Sequence, residues 1–251
     1  MKKTLIPVLL GLALPYAAHA DTVFGVYVGG GSQKFEFTGD FEDSDLSSDV
    51  GSIDLEDDLG LDDESGQYIY IAIEHPVPFL PNVMLASTQA DQDASSIITR
   101  DIEFEGGSFT AGQAVDSTID ISHIDATLYY ELLDNWVNLD LGITVRQFDG
   151  EISLQSATDS AQEDLDFVAP LLYGKAQIDL PLTGLYVAAA GNWIGSGGNA
   201  FLDSIAKIGY ESTIGLGVEA GYRNIVIQVD EDDLEADLAF SGVYAAATFH
   251  F

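Results

Sequence analysis

The final segment of the chain, residues 242–251, alternates with a period of two and ends on an aromatic residue. Val243, Ala245, Ala247, Phe249 and Phe251 occupy every second position, and alternate residues of a β-strand share one face of a sheet. A terminal strand of a soluble protein usually frays in water. The last strand of a transmembrane barrel must instead pair with the first, so that no unpaired edge meets lipid. The pattern therefore indicates an all-β chain that closes on itself in a membrane.

Residues 1–20 are typical of a secretory signal. Lys2 and Lys3 precede an apolar run over 5–14, and Ala18-His19-Ala20 has the small-x-small pattern of a cleavage site. The run is too short to cross a bilayer as a helix. We therefore predict a signal peptide at 1–20, an outer-membrane β-barrel domain at 21–251, and a membrane crossed by strands.

The chain is strongly acidic, with 42 acidic and 8 basic residues, yet its mean hydropathy is +0.15. Nucleic acid is excluded as a partner, because binding to its backbone requires clustered Lys and Arg. The chain contains no cysteine, which excludes disulfides and thiol chemistry. Twelve acidic residues and no basic one lie within 40–64. This segregation predicts apolar strands in lipid and acidic loops in water.

Alternating runs recur along the chain, with lengths that suit tilted transmembrane strands of about 9–11 residues. They lie near 23–37, 66–75, 82–91, 118–132, 136–149, 167–179, 184–194, 202–211, 214–229 and 237–251. The connectors alternate between short turns and long segments, the latter at 38–65, 92–117, 150–166 and 195–201, with a short acidic connector at 230–236 on the same side. We predict a transmembrane antiparallel β-barrel of about ten strands, with long acidic extracellular loops and short periplasmic turns. Eight strands are the alternative, if the weakest hairpins belong to loops.

The two faces of these strands differ in character. In the run at 136–149, Leu139, Leu141 and Ile143 alternate with polar or small residues, so we expect an apolar exterior and a polar lumen. Aromatic residues beside the short connectors predict an interfacial girdle. These residues are Tyr130, Trp136, Tyr186 and Tyr210.

Charged residues lie in the middle of strands on the polar face. Because an unpaired buried charge costs several kcal/mol, we predict a network of ion pairs that fills the lumen and leaves no open pore for large solutes. Glu131 is the candidate cross-strand partner of Arg146. The predicted network comprises Glu131, Asp140, Arg146, Lys175, Lys207, Glu219 and Arg223.

Three motifs together resemble a known group of proteins. Gly29-Gly30-Gly31 lies in the first strand, an acidic segment follows at 54–61, and the chain ends in Phe251. In these features the chain resembles small, Gly-Gly-containing outer-membrane β-barrel proteins of marine proteobacteria. The resemblance implies a Gram-negative outer membrane, reached through the periplasm, and an assembly signal at Phe249 and Phe251 that the barrel-assembly machinery recognises. It implies no activity.

Two kinds of catalytic site are conceivable at the outer rim. An acidic pair at Asp91 and Asp93 with His123 and Asp125 resembles the residue types of barrel proteases, but the His and Asp are in reversed order. A lipid-modifying esterase requires a Ser, a His and an acid within hydrogen-bond reach, and only His123 is suitably placed. Acidic pairs occur throughout this chain, so we assign no catalytic residue.

The acidic loops supply oxygen ligands of the kind that Ca²⁺ and Mg²⁺ prefer, but 54–63 lacks the order of an EF-hand. We expect a solvated, mobile loop with at most weak divalent binding, and neither a dedicated metal site nor a cofactor. The expected partners are outer-membrane lipid and lipopolysaccharide. The leading hypothesis is a structural or interaction protein with a packed, charged lumen. A narrow channel for ions or small solutes is the alternative, followed by an enzyme at the outer rim.

Overall fold

The computed structural model describes residues 24–43, 52–77, 79–230 and 234–251, so the predicted signal peptide lies outside the described residues. Within these residues, seventeen strands, numbered in chain order, form three sheets. In these ranges there is no helix long and apolar enough to cross a membrane. Ten strands form one closed barrel: β1 (Gly25–Asp43), β3 (Glu64–Glu74), β4 (Asn82–Gln89), β9 (His123–Leu133), β10 (Val137–Phe148), β13 (Val168–Leu180), β14 (Leu185–Ser196), β15 (Asn199–Glu211), β16 (Leu216–Asp230) and β17 (Leu234–His250). The other seven are β2 (Ile53–Asp54), β5 (Asp91–Ile97), β6 (Ile102–Phe104), β7 (Gly107–Phe109), β8 (Ala114–Asp120), β11 (Gly150–Ser156) and β12 (Ser160–Leu165).

The barrel closes between its first and last strands. All neighbouring strands are antiparallel, and β1 pairs with both β3 and β17, with Val28 opposite Phe249. Beyond the end of β17, the Val26 amide donates to the Phe251 carbonyl at 2.8 Å and the Phe251 amide donates to the Val26 carbonyl at 3.1 Å. Because the barrel closes, the barrel sheet has no unpaired edge. The prediction of ten strands is confirmed, and the alternative of eight is wrong.

The pairing at Phe251 gives the first testable prediction. Phe251→Ala should lower the fraction of correctly assembled barrel, because it removes the aromatic side chain from the strand end that meets β1. The measurement is the heat-modifiable fraction on a gel after expression. The control is Phe79→Ala, which removes an exposed aromatic from a turn. Normal assembly of the Phe251 variant, or equal loss in the control, would contradict the prediction.

The barrel is apolar outside and polar inside, the reverse of a soluble sheet protein. On β10, the side chain of Leu141 is 50% exposed and that of Arg146 is 0% exposed. The predicted faces are therefore confirmed for this strand. The same exposure of apolar residues recurs around the wall, at Ile69, Ile71, Leu85, Leu128, Leu172, Val187, Ile208, Val218 and Val243.

The two ends of the barrel differ. Short turns at 75–81, 134–136, 181–184 and 212–215 define what we call the turn end, and the long connectors leave the opposite, cap end. The predicted long connector at 195–201 is wrong. Gly197 and Gly198 form a two-residue hairpin turn there, with φ of 65° and 107°, the positive values that the tight turns of twisted hairpins require.

Two further predicted connectors are folded rather than irregular. Residues 92–117 and 150–166 contribute to a second, four-stranded sheet with the order β12-β11-β8-β5 and to the hairpin β6–β7. With residues 52–63, they form a unit over the cap end, which we call the cap (residues 52–63, 90–122 and 149–167). Its buried apolar side chains are Ile53, Leu55, Leu59, Leu61, Ala90, Ile98, Ile102, Phe104, Phe109, Val115, Ile119, Ile121, Leu154 and Ala161.

The acidic segment at 40–64 is not a solvated loop over its described part. Leu55 and Leu59 are fully buried, while Glu56 and Asp57 between them are exposed. Most of the acids therefore face outward from a packed turn, whereas Asp58 is buried beside Arg100. The expectation of a solvated, mobile loop is wrong for residues 52–63. Residues 44–51 of this segment lie outside the described part of the chain.

Candidate functional site in the barrel interior

Two arginines and two aspartates form a connected group across the barrel interior, and we call these four residues the charged layer. Arg146 on β10 lies opposite Asp125 on β9 and makes two bonds to it, from Nε and Nη2, each of 2.7 Å. Arg146 Nη2 also donates to Asp203 Oδ2 at 2.7 Å. Arg223 donates to Asp203 from Nε at 2.8 Å and from Nη2 at 2.6 Å. Asp203 on β15 therefore joins both arginines.

Neighbouring polar and aromatic groups support the charged layer. Arg223 Nη1 donates to Thr88 Oγ1 at 3.1 Å, and its guanidinium lies 5.3 Å from the ring centre of Tyr68. The guanidinium of Arg146 lies 5.1 Å from the ring centre of Phe201. Two positive and two negative groups balance one another, as buried charges require. The layer is therefore electrically neutral and densely bonded.

The predicted partner of Arg146 is wrong. Glu131 on β9 lies opposite Asp140 on β10. Asp140 is six residues before Arg146, which separates the two positions by about 20 Å along an extended strand. Asp125 holds the position opposite Arg146 instead. Asp203 is a further member of the network that was not predicted. The even spacing of Asp203, Lys207 and Glu211 on one strand is the signal that could have identified it.

The two lysines of the predicted network lie between the charged layer and the turn end. Lys175 Nζ is 3.2 Å from Asp140 Oδ2, directly across the pairing of β10 with β13. Lys207 Nζ is 2.8 Å from Glu219 Oε2, which also accepts a bond of 2.9 Å from the Tyr186 hydroxyl. Tyr186 therefore points into the barrel, and its predicted place in the exterior girdle is wrong.

Apolar side chains close the barrel on the cap side of the charged layer. On β1, Gln33 approaches Arg223, and the next inward residues toward the cap are Phe35 and Phe37, each 1% exposed. Ile225 and Phe240 complete this plug and join the buried core of the cap. Ions that passed the charged layer would therefore meet a packed apolar core.

Salt bridges attach residues 52–63 of the cap to its surroundings. Lys34 Nζ lies 2.8 Å from Asp63 Oδ2, and Arg100 Nη2 lies 2.6 Å from Asp58 Oδ2. Arg100 Nη2 also donates to the carbonyl of Ser52. Each of the six basic residues that follow the predicted signal therefore forms an ion pair, two with acids of the cap and four with acids of the lumen.

A cavity of about 500 Å³ occupies the turn-end half of the barrel. Trp136, Leu182 and His250 line its outer part near the turns, and Arg223 and Asp203 of the charged layer line its inner end. Six tyrosines of the described residues line the wall of this cavity. They are Tyr27, Tyr68, Tyr70, Tyr129, Tyr173 and Tyr186.

The contacts of His123 are structural. His123 is buried at the charged layer, where Nδ1 lies 2.8 Å from the Ile121 carbonyl and Nε2 lies 3.4 Å from Arg223 Nη2. The side chain of Asp93 is exposed on the cap and accepts a bond of 2.6 Å from Thr118. The structure thus places His123 and Asp93, which the protease hypothesis combines, in different surroundings.

Within the described ranges, no group of three or more His, Asp or Glu residues could hold a metal ion.

Comparisons with known proteins give similarities of fold at low identity. No family model and no curated protein matches the chain. Ail, the attachment invasion locus protein of Yersinia pestis, is 9% identical with a TM-score of 0.41, over 90% of this chain and 99% of that one. The transport unit of the autotransporter AIDA-I from Escherichia coli is 8% identical with a TM-score of 0.42, over 94% and 92%. The monoaromatic hydrocarbon channel CymD is 9% identical with a TM-score of 0.35, over 93% and 70%.

Proposed function

We propose that this protein is a non-conducting outer-membrane β-barrel with a structural or interaction role, which presents a folded acidic cap outside the cell. The observation that supports it most strongly is the double seal of the lumen. Arg146 is 0% exposed within the charged layer, and the plug of Phe35, Phe37, Ile225 and Phe240 lies on the cap side of it. The charged layer and the plug together exclude water and ions, so no aqueous path crosses the barrel.

The membrane location is part of the proposal. Its support is the wall of exposed Ile, Leu and Val side chains, which would be unfavourable in water and is typical of a lipid-facing surface. In outer-membrane barrels the short turns face the periplasm and the longer loops face outward. This arrangement would place the cap outside the cell, beside the lipopolysaccharide leaflet. We also propose that the chain is related to the outer-membrane barrels of marine proteobacteria, and this relation would give it the same location.

Single-channel recording tests the proposal. The full chain, refolded and verified by its heat-modifiable mobility, should give no unitary conductance steps when inserted into planar bilayers. The second candidate, a narrow channel, rests on the cavity, which already occupies the turn-end half of the lumen. Reproducible unitary steps of the refolded protein would overturn the proposal in favour of that candidate.

The proposal assigns no enzymatic activity to the barrel. His123 supports this part, because its contacts are a backbone carbonyl, an arginine and the ring of Phe148 at 5.4 Å. The Ile121 carbonyl makes Nδ1 the donor, so the lone pair that a general base would use lies on Nε2, which faces the guanidinium of Arg223. Cleavage of a peptide or an ester by the purified protein, abolished in a His123→Gln variant, would contradict this assignment.

A further inference from the structure

The cavity at the turn end has the dimensions of a ligand site. Its volume of about 500 Å³ lies within the range of small-molecule pockets. It is a dead end, because the charged layer closes its inner end and its outer part lies among the turns. A molecule that entered it would therefore be surrounded by barrel wall without passing through the membrane.

The charge of this cavity favours a cation. Among the described residues, the lysines of the cavity wall are Lys175 and Lys207, and each is already paired with an acid. The lining acids outnumber them. They are Glu74, Glu131, Asp134, Asp140, Asp179, Glu211 and Glu219. An anion would therefore meet a strongly negative surface, whereas a cation would be attracted to it.

Three acids of the cavity wall, Glu74, Glu131 and Asp140, are arranged unfavourably for an empty site. Glu131 lies directly opposite Asp140 across β9 and β10, and like charges in that position destabilise a sheet. Glu74 lines the same cavity and accepts a bond of 2.7 Å from the Tyr129 hydroxyl. The carboxylate of Asp140 is 1% exposed, and neither of its oxygens accepts a well-directed hydrogen bond in the described structure. A positive group in the cavity would relieve this concentration of charge.

The aromatic wall indicates which kind of cation fits. Faces of tyrosine rings attract ammonium and guanidinium groups, and Tyr68 already lies beneath the guanidinium of Arg223 at the inner end. A metal ion would require several acids at one point. Throughout the described ranges no such group occurs. Carboxylates distributed among aromatic rings match an organic ammonium ion, which is larger and more weakly hydrated.

We propose that the turn-end cavity binds a small organic ammonium ion from the periplasmic side, held by Glu74, Glu131 and Asp140 and by the tyrosine wall. This inference goes beyond the proposed function and does not require it, because a ligand can enter a closed or an open barrel from the same end. Choline serves as the probe. Its neutral isostere, 3,3-dimethyl-1-butanol, has the same shape without the charge.

Binding is measured by calorimetry on the refolded full chain in detergent, and by fluorescence of Trp136, which lines the cavity. A Trp193→Phe background removes the signal of the other tryptophan, which lies on the exterior. We expect saturable one-to-one binding of choline and no binding of the isostere. Glu131→Gln should weaken choline binding at least tenfold, because its exposed carboxylate is removed without loss of packing.

Two further variants distinguish local from general effects. Glu74→Gln can still accept the bond from Tyr129 and should also weaken binding, which covers the case in which the Glu131 variant fails to fold. Asp93→Asn removes one acidic charge from the exposed surface of the cap and should leave the affinity unchanged. Absence of saturable choline binding, equal binding of the isostere, or an equal effect of Asp93→Asn would each overturn the inference.

Discussion

Asp203→Ala should destabilise the barrel by about 3–5 kcal/mol, the cost expected when one member of a buried ion network is removed. Asp203 accepts bonds from both Arg146 and Arg223, at 2.6–2.8 Å. Without Asp203, the guanidinium groups of Arg146 and Arg223 remain buried, and Asp125, which bonds to Arg146, is the one carboxylate left in the charged layer. The free energy of unfolding, measured by urea titration in lipid vesicles, provides the test.

The matched control for this prediction is Asp179→Ala. Asp179 is also on the lumen side, but it is half-buried and bonds to the amides of Asn138 and Gln177, with no basic partner. Its loss should cost much less than the loss of Asp203. Equal costs for the two variants would mean that the charged layer does not hold the barrel together.

Phe240→Ala should destabilise the protein by about 3–5 kcal/mol, because it creates a cavity in a closely packed apolar core. Phe240 is 0% exposed and packs edge-on against Phe37, with ring centres 5.1 Å apart. Both rings belong to the buried apolar core that also contains the core residues of the cap. The measurement is again urea unfolding in vesicles, with limited proteolysis to follow the cap separately.

Val243→Ala is the control for the packing prediction. Val243 lies on the same strand as Phe240 but on the exterior, where it is 60% exposed. Truncation there leaves no enclosed cavity and should have a much smaller cost. If both variants unfold at the same urea concentration, the cap and the barrel do not share the packed core described above.

The barrel could be predicted from the sequence because its evidence is local. Each barrel strand alternates between apolar and polar residues, as in the run of Leu139, Leu141 and Ile143, and the turns between hairpins are short. Such a pattern follows from the two-residue period of a strand alone. The ten strand positions were therefore correct, with errors mainly at the cap end, where β1 continues to Asp43.

The cap could not be predicted in the same way. On β8, Val115 and Ile119 are separated by Asp, Ser and Thr, and on β11 Leu154 lies between Ser and Gln. Each segment alone is therefore too short and too polar to indicate a strand. These strands are stable only because β8 pairs with both β5 and β11, which are distant in sequence. The high acid content of the connectors also indicated solvated loops, whereas the acids cover one face of a packed unit.

The ion pairs of the lumen depend on the register between strands. Spacing along β9 places Glu131 and Asp125 on the same face, but only the pairing with β10 decides that Asp125 lies opposite Arg146. Asp203 reaches both arginines from a strand that is adjacent to only one of theirs. The sequence could therefore identify the charged face, but not which residues form the layer.

Cysteine accessibility tests the central claim most directly, since the chain has no cysteine of its own. Thr99→Cys places a thiol on the exposed surface of the cap, and Glu131→Cys places one in the turn-end cavity. A large, membrane-impermeant maleimide should label Thr99→Cys in intact cells. It should label Glu131→Cys only after the outer membrane is permeabilised. Equally fast labelling of both variants in intact cells would contradict a barrel that is sealed at its cap end and open toward the periplasm.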